Sequence, residues 1–112
     1  MARYLISFDD GTMVIPDGDL PEVAAAAHAV LRQAKEAGVW VTGGGLASQR
    51  ASIVSTDGAV VEGPFPETKA VLGGFSIVEV ATREEALAWA ARFAAACRCA
   101  QEVRELMHDP EV

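Results

Sequence analysis

Apolar and polar residues alternate from Arg3 to Phe8, with Tyr4, Ile6 and Phe8 on one side and Arg3, Leu5 and Ser7 on the other. That period of two predicts a strand half-buried against a core. Asp9-Asp10-Gly11 carries turn chemistry. Thr12 to Ile15 is expected to pair weakly before Pro16-Asp17-Gly18 ends it. The period then changes to that of a helix. Val23, Ala27, Val30, Leu31 and Ala34 fall on one stripe, which predicts a helix from about Leu20 to Ala37. Asp19 stands at the N-cap, Pro21 in the first turn, Glu22 at the capping-box position and Gly38 past the end.

Short apolar runs follow. Val39 to Thr42 reads as a strand, Gly43-Gly44-Gly45 as a flexible bend, and Ala51 to Ser55 as another strand. Thr56-Asp57-Gly58 is a hairpin turn that should return Ala59 to Val61 antiparallel. Phe75 to Val80, rich in β-branched and aromatic residues, is the clearest strand. Thr82-x-x-Glu85 is a capping box opening a second helix to about Ala96, with Ala86, Trp89, Ala90, Phe93 and Cys97 as its apolar stripe. Ala100 to Leu106 reads as a last strand, and His108 to Val112 as a polar tail.

The order is β-α-β-β-β-α-β over a single domain, residues 1–112, with Ala59 to Val61 as an additional short return. Two β-α-β halves predict an α+β, ferredoxin-like fold, an antiparallel sheet with two helices on one face. The opposite face then carries Val, Ile, Leu and Phe positions without cover. A homodimer formed through the sheets would bury them.

Composition sharpens that expectation. Alanine supplies 21 of the 112 residues, so the helices approach closely but bury little area each. A chain this short gains much of its missing burial from a partner. The net charge of -7 repels phosphate backbones and argues against nucleic acid as a partner. No apolar run approaches the ~18 residues of a membrane span. The N-terminus lacks the pattern of a signal peptide, so a cytoplasmic location is expected. Cys97 and Cys99 are too few for a metal site, and His28 and His108 are far apart in sequence. A disulfide across one residue would be strained. No metal and no cofactor is expected, and both thiols should be reduced.

The stretch Glu62-Gly63-Pro64-Phe65-Pro66-Glu67-Thr68-Lys69, then Val71-Leu72-Gly73-Gly74-Phe75, mixes structure breakers with charge. Its glycines and prolines predict a shaped loop, and such loops often carry binding groups. Glu62 and Glu67 are candidate general acids or bases if burial raises a carboxyl pKa. Lys69 is a candidate for holding an anion or an oxyanion. The competing reading pairs Glu67 with Lys69, or with a dimer mate, to order the loop. Phe65 is expected to be its buried anchor.

Gly-Pro-Phe-x-Glu-Thr-Lys followed by Leu-Gly-Gly-Phe resembles the signature of the YCII-related superfamily in its DGPF-domain branch, where the usual first residue is Asp and here is Glu62. The likeness continues through Phe75 to Val80, Glu85 to Ala90 and Glu102-Val103-Arg104, with Ala37-Gly38-Val39 and Gly44-Gly45-Leu46 upstream. The resemblance implies a dimeric α+β barrel. It also implies acid-base chemistry, such as a lyase, isomerase or hydrolase step, on a small polar or aromatic metabolite in a cleft beside the loop. In the YciI-like branch a helix histidine paired with an aspartate is the proposed dyad. That histidine precedes the helix-ending glycine by one residue more than His28 precedes Gly38, so the aligned position is Ala27. One residue turns a helix by about 100°. His28 therefore groups with Arg32 and Lys35 and is expected at the solvent edge. DGPF-branch genes often accompany sigma-factor genes, which supports an alternative, a non-catalytic ligand-binding or regulatory dimer. Gly43-Gly44-Gly45 offers backbone N–H groups to an anion but lacks phosphate-loop spacing. Trp40 and Trp89 are read as core or interface residues.

Overall fold

The chain runs β1 (Ala2–Asp9), α1 (Leu20–Glu36), β2 (Trp40–Gly45), β3 (Ser52–Val54), β4 (Val60–Glu62), β5 (Leu72–Val80), α2 (Arg83–Cys97) and β6 (Glu102–Glu105). The computed structural model describes residues 1–48, 50–63 and 72–112. Its main sheet has four strands in the order β2-β5-β1-β6, and every neighbouring pair is antiparallel. α1 and α2 pack on each other, α2 on β5 and β6, and α1 on β2. This is an α+β arrangement of the ferredoxin-like kind.

The alternation in β1 decides which side becomes the core. Tyr4 lies opposite Val78 and Ala2 opposite Val80, so these side chains share the helix-facing side. Tyr4, Ile6, Val78 and Val80 are buried there with Ala86 and Ala90 of α2. The two alanines let the helix come close to the sheet. The opposite face pairs Arg3 with Glu79, Leu5 with Ile77 and Ser7 with Phe75. Arg3 Nε donates to Glu79 Oε2 at 2.9 Å. Leu5, Phe75 and Ile77 stay half-exposed on that face.

Three sequence expectations need correction. The Ser52–Glu62 hairpin forms with both strands, as its Asp57-Gly58 turn predicted, but stands as a separate two-stranded sheet instead of joining the main one. The reason is that β2 and β5 pair directly, down to Gly45 opposite Gly74, and Leu46 N–H donates to Gly73 O. The chain between them is thereby pushed out of the main sheet. Gly43-Gly44-Gly45 is strand rather than bend, and Gly73-Gly74 is strand rather than loop. Thr12 to Ile15 forms no strand; Thr12 instead closes the turn, its hydroxyl donating to Asp9 O at 2.7 Å.

The two helix starts differ in chemistry. The Thr82 hydroxyl accepts from Glu85 N–H at 3.2 Å, so the predicted cap of α2 forms. Asp19 occupies the N-cap of α1 but makes no side-chain cap. Its carboxylate accepts from Arg98 at 2.9 Å, and Glu22 lies 3.6 Å from the same guanidinium. The start of α1 is thus tied to the end of α2. Arg98 adopts φ 58°, the left-handed region that favours glycine.

Two variants separate the ion pairs from the backbone strain. Arg98→Ala loses both pairs and keeps the left-handed backbone, so it should cost up to about 1 kcal/mol, the range of exposed pairs. Arg98→Gly loses the same pairs but relaxes the backbone, and should be about 1 kcal/mol more stable than Arg98→Ala. Urea unfolding measures both, and equal stability would show that Arg98 carries no strain.

Candidate functional site

A cleft of about 250 Å³ opens where β1 and β2 end and β5 and β6 begin. The strands supply Phe8, Trp40, Gly43, Gly44, Gly45, Phe75 and Ser76. α1 supplies Ala27, His28 and Leu31, α2 supplies Phe93 and Cys97, and Met13 and Gln101 complete the described lining. The rings of Trp40 and Phe93 lie 6.2 Å apart at a tilt of 44°, within the range of attractive aromatic pairs.

Glycines give these rings somewhere to lie. A Cβ on Gly43 would sit 2.5 Å from Phe75 O and 2.8 Å from both Ser76 Cα and the Trp40 ring. A Cβ on Gly74 would meet the Phe8 ring at 2.9 Å and Gly44 O at 3.0 Å, and one on Gly73 would fall on the same ring. Two glycine runs on adjacent strands therefore leave bare backbone on which Phe8 and Trp40 rest. The result is a slot with flat aromatic walls.

His28 is exposed, as its place on the helix predicted, but the cleft opens toward that edge and the imidazole borders it. No carboxylate stands among the described lining residues. Cys97 is buried, and that burial, with Cys99 beside it, pushes the thiol above its ordinary 9.0. Near neutral pH Cys97 is a protonated wall of the cleft, since the thiolate is the nucleophile. Both cysteines are free thiols. Among the described residues no group of three or more His, Cys, Asp or Glu is placed to hold a metal ion.

Of the residues singled out from sequence, Glu62 is exposed at the end of β4, where it accepts from the Ser52 hydroxyl at 2.7 Å. It is not part of the described lining of the cleft. Glu67, Lys69 and Phe65 lie outside the described residues. Sequence reasoning missed the wall residues Phe8 and Phe93 and took Trp40 for core or interface. The available signal was two glycine runs, each beside an aromatic residue. A second groove, of about 260 Å³, runs under the C-terminal tail past Arg3 and Glu79. It has no aromatic wall, and its Arg3 and Glu79 already pair with each other.

The model of the YCII-related domain matches residues 4–108. The chain belongs to the YCII-related family. No curated protein matches this YCII chain. A similar solved structure is 5-chloro-2-hydroxyhydroquinone dehydrochlorinase (TftG) from Burkholderia phenoliruptrix AC1100, in complex with 2,5-dihydroxybenzoquinone. The identity is 21%, the match covers 97% of each chain, and the TM-score is 0.53. At that identity the likeness establishes a shared fold. Among the described residues of this YCII chain, no helix is long and apolar enough to cross a membrane.

Gly43 is the sharpest test of the slot. Gly43→Ala forces its Cβ onto backbone atoms of β5, so it should cost about 1–3 kcal/mol or more, as overpacking does. Gly45→Ala meets only Gly73 O, at 3.9 Å, and should be within about 0.5 kcal/mol of the parent chain. Thermal melting of the two variants compares them, and equal melting temperatures would remove the steric account of the glycine run.

Proposed function

We propose that this chain is a YCII-like small-molecule enzyme of the DGPF-branch type, working as a homodimer on a small, flat aromatic or quinonoid metabolite. The observation that carries this reading is the aromatic slot with a single described histidine at its rim. The slot suits one ring, since a cavity of about 150 Å³ already holds benzene. The TftG complex contains a ring of this size. Histidine is the side chain suited to proton transfer near neutral pH. His28 is assigned the proton transfer at a ring hydroxyl or ring carbon. Glu62, Glu67 and Lys69 of the signature stretch are assigned to the ring's polar substituents, with Lys69 matching an ionised oxygen.

Exposed area supports the dimer. The chain exposes 7693 Å². A compact monomer of 11.8 kDa would expose about 5,900 Å² by the usual scaling. Face-to-face packing of two sheets over Leu5, Phe75 and Ile77 would make the barrel expected of this family.

A second reading, a ligand-binding dimer without turnover, is favoured by one observation: no described lining residue is a carboxylate that could orient His28. The two readings part in one experiment. With 2,5-dihydroxybenzoquinone added, the ring protons of His28 should shift in NMR spectra while those of His108 on the tail stay in place. In D2O the enzyme reading expects faster exchange of the quinone ring hydrogens, reduced about 100-fold or more in His28→Gln. His28→Gln should keep its stability within about 0.5 kcal/mol, as a surface change does. Binding without accelerated exchange supports the second reading. Shifts at neither histidine, with no rise in melting temperature, would remove the cleft from both.

A further inference from the structure

We infer that the β3–β4 hairpin is a dimerisation arm that packs on a second copy of this chain; this rests on the dimer in the reading above. Ile53 lies opposite Val61 and Val54 opposite Val60, so the two pairs point to opposite faces of the ribbon. A solvated antiparallel ribbon shows one polar face. Here Ile53 and Val61 share one face and Val54 and Val60 the other, beside the hydrogen-bonded Ser52 and Glu62, and all four apolar side chains are 45% to 63% exposed. Strands of three residues each make a hairpin that is marginal in water by itself. Such a ribbon exposes apolar side chains on both faces, and none of the other described strands pairs with it.

Three observations make the cover a second copy. The chain exposes roughly 1,800 Å² more than a compact monomer of its mass, by the usual scaling, and a stable dimer buries about 800 Å² per partner. The same chain has a second apolar surface, Leu5, Phe75 and Ile77 on the open sheet face, so a two-fold dimer that packs these faces together would have each arm extend the same contact onto the partner. Charge permits the contact. The hairpin, Ser52–Glu62, carries two carboxylates, Asp57 at the tip and Glu62 at the base, and its apolar side chains lie between them. On the open face Arg3 pairs with Glu79 and Arg104 with Glu102. Two chains of net charge -7 would meet on the sheet face through a surface whose charges are paired.

The test replaces Ile53, Val54, Val60 and Val61 together by Thr, which keeps β-branching and removes apolar surface. Sedimentation over a concentration series should give a dimer for the parent chain and at least a tenfold weaker dissociation constant for the variant. Circular dichroism reports whether the variant folds. Hydrogen exchange on the parent chain needs no variant, and protection of the Val60 and Val61 amides should rise with concentration through the dimer range. Equal dissociation constants, or protection independent of concentration in a dimeric chain, would overturn the arm and leave the dimer standing. A folded monomer of the parent chain at 50-fold the concentration typical of stable dimers, about 50 µM, would overturn both. Neither outcome touches ligand binding at His28, which is read separately.

Discussion

The cleft end of the molecule depends on an aromatic ring lying on bare backbone. Phe8 rests over Gly73 and Gly74, and Trp40 fits against Gly43 in the strand beside them. At the other end Ala86 and Ala90 let α2 close on Tyr4, Ile6, Val78 and Val80. The same sheet is thus sealed at one end by small helix residues and kept open at the other by large rings seated on small strand residues. Protein interiors are packed densely enough that one added methyl is felt. The volume of the cleft is therefore set by which positions lack a Cβ, more than by any single polar group.

Much of this fold was legible in the sequence, and the failures share a cause. The period of two in β1, the stripe of α1, the Asp57-Gly58 turn and the Thr82 cap each depend on residues near one another in sequence, and each formed. The glycine runs were misread because a glycine that permits a turn and a glycine that permits close approach look alike until the neighbouring strand is known. The unused N-cap has a similar origin. Asp19 has the right residue type at the right place, but Arg98, 79 residues away, takes its carboxylate. For the site, helical spacing placed His28 on an exposed edge, yet spacing alone does not say where a cleft opens. Glu62 was read as part of a continuous loop; it sits at the end of β4, bonded to Ser52.

β5 joins the two surfaces on which the functional readings rest. Its register with β1 places Ser76 and Gly74 on the helix side and Phe75 and Ile77 on the open side. One nine-residue strand thus carries the floor of the slot on one face and the partly exposed Phe75 and Ile77 on the other. The arm leaves the sheet from the same end, between β2 and β5. A strand held by neighbours on both edges and by α2 on one face has little freedom to shift, and a rigid floor is what a site needs to hold a ring in one orientation.

Electrostatics favours an acidic ring in this slot despite the chain's overall charge. Hydroxyquinones ionise readily, and a chain of net charge -7 would repel them at long range. At physiological salt, however, exposed charges more than about 8 Å away are largely screened. What an approaching anion meets is the local edge of α1. There His28, Arg32 and Lys35 stand at spacings of four and then three residues on one side of the helix, with Glu36 four residues past Arg32. Glu22, the carboxylate in the first turn of that helix, is already engaged by Arg98. The lining itself is apolar, with Cys97 held neutral by burial. An anionic ring can therefore place its face against Phe8 and Trp40 and its oxygens toward the basic edge. Under the proposed function, His28 at that rim is the group that would exchange a proton with a ring substituent.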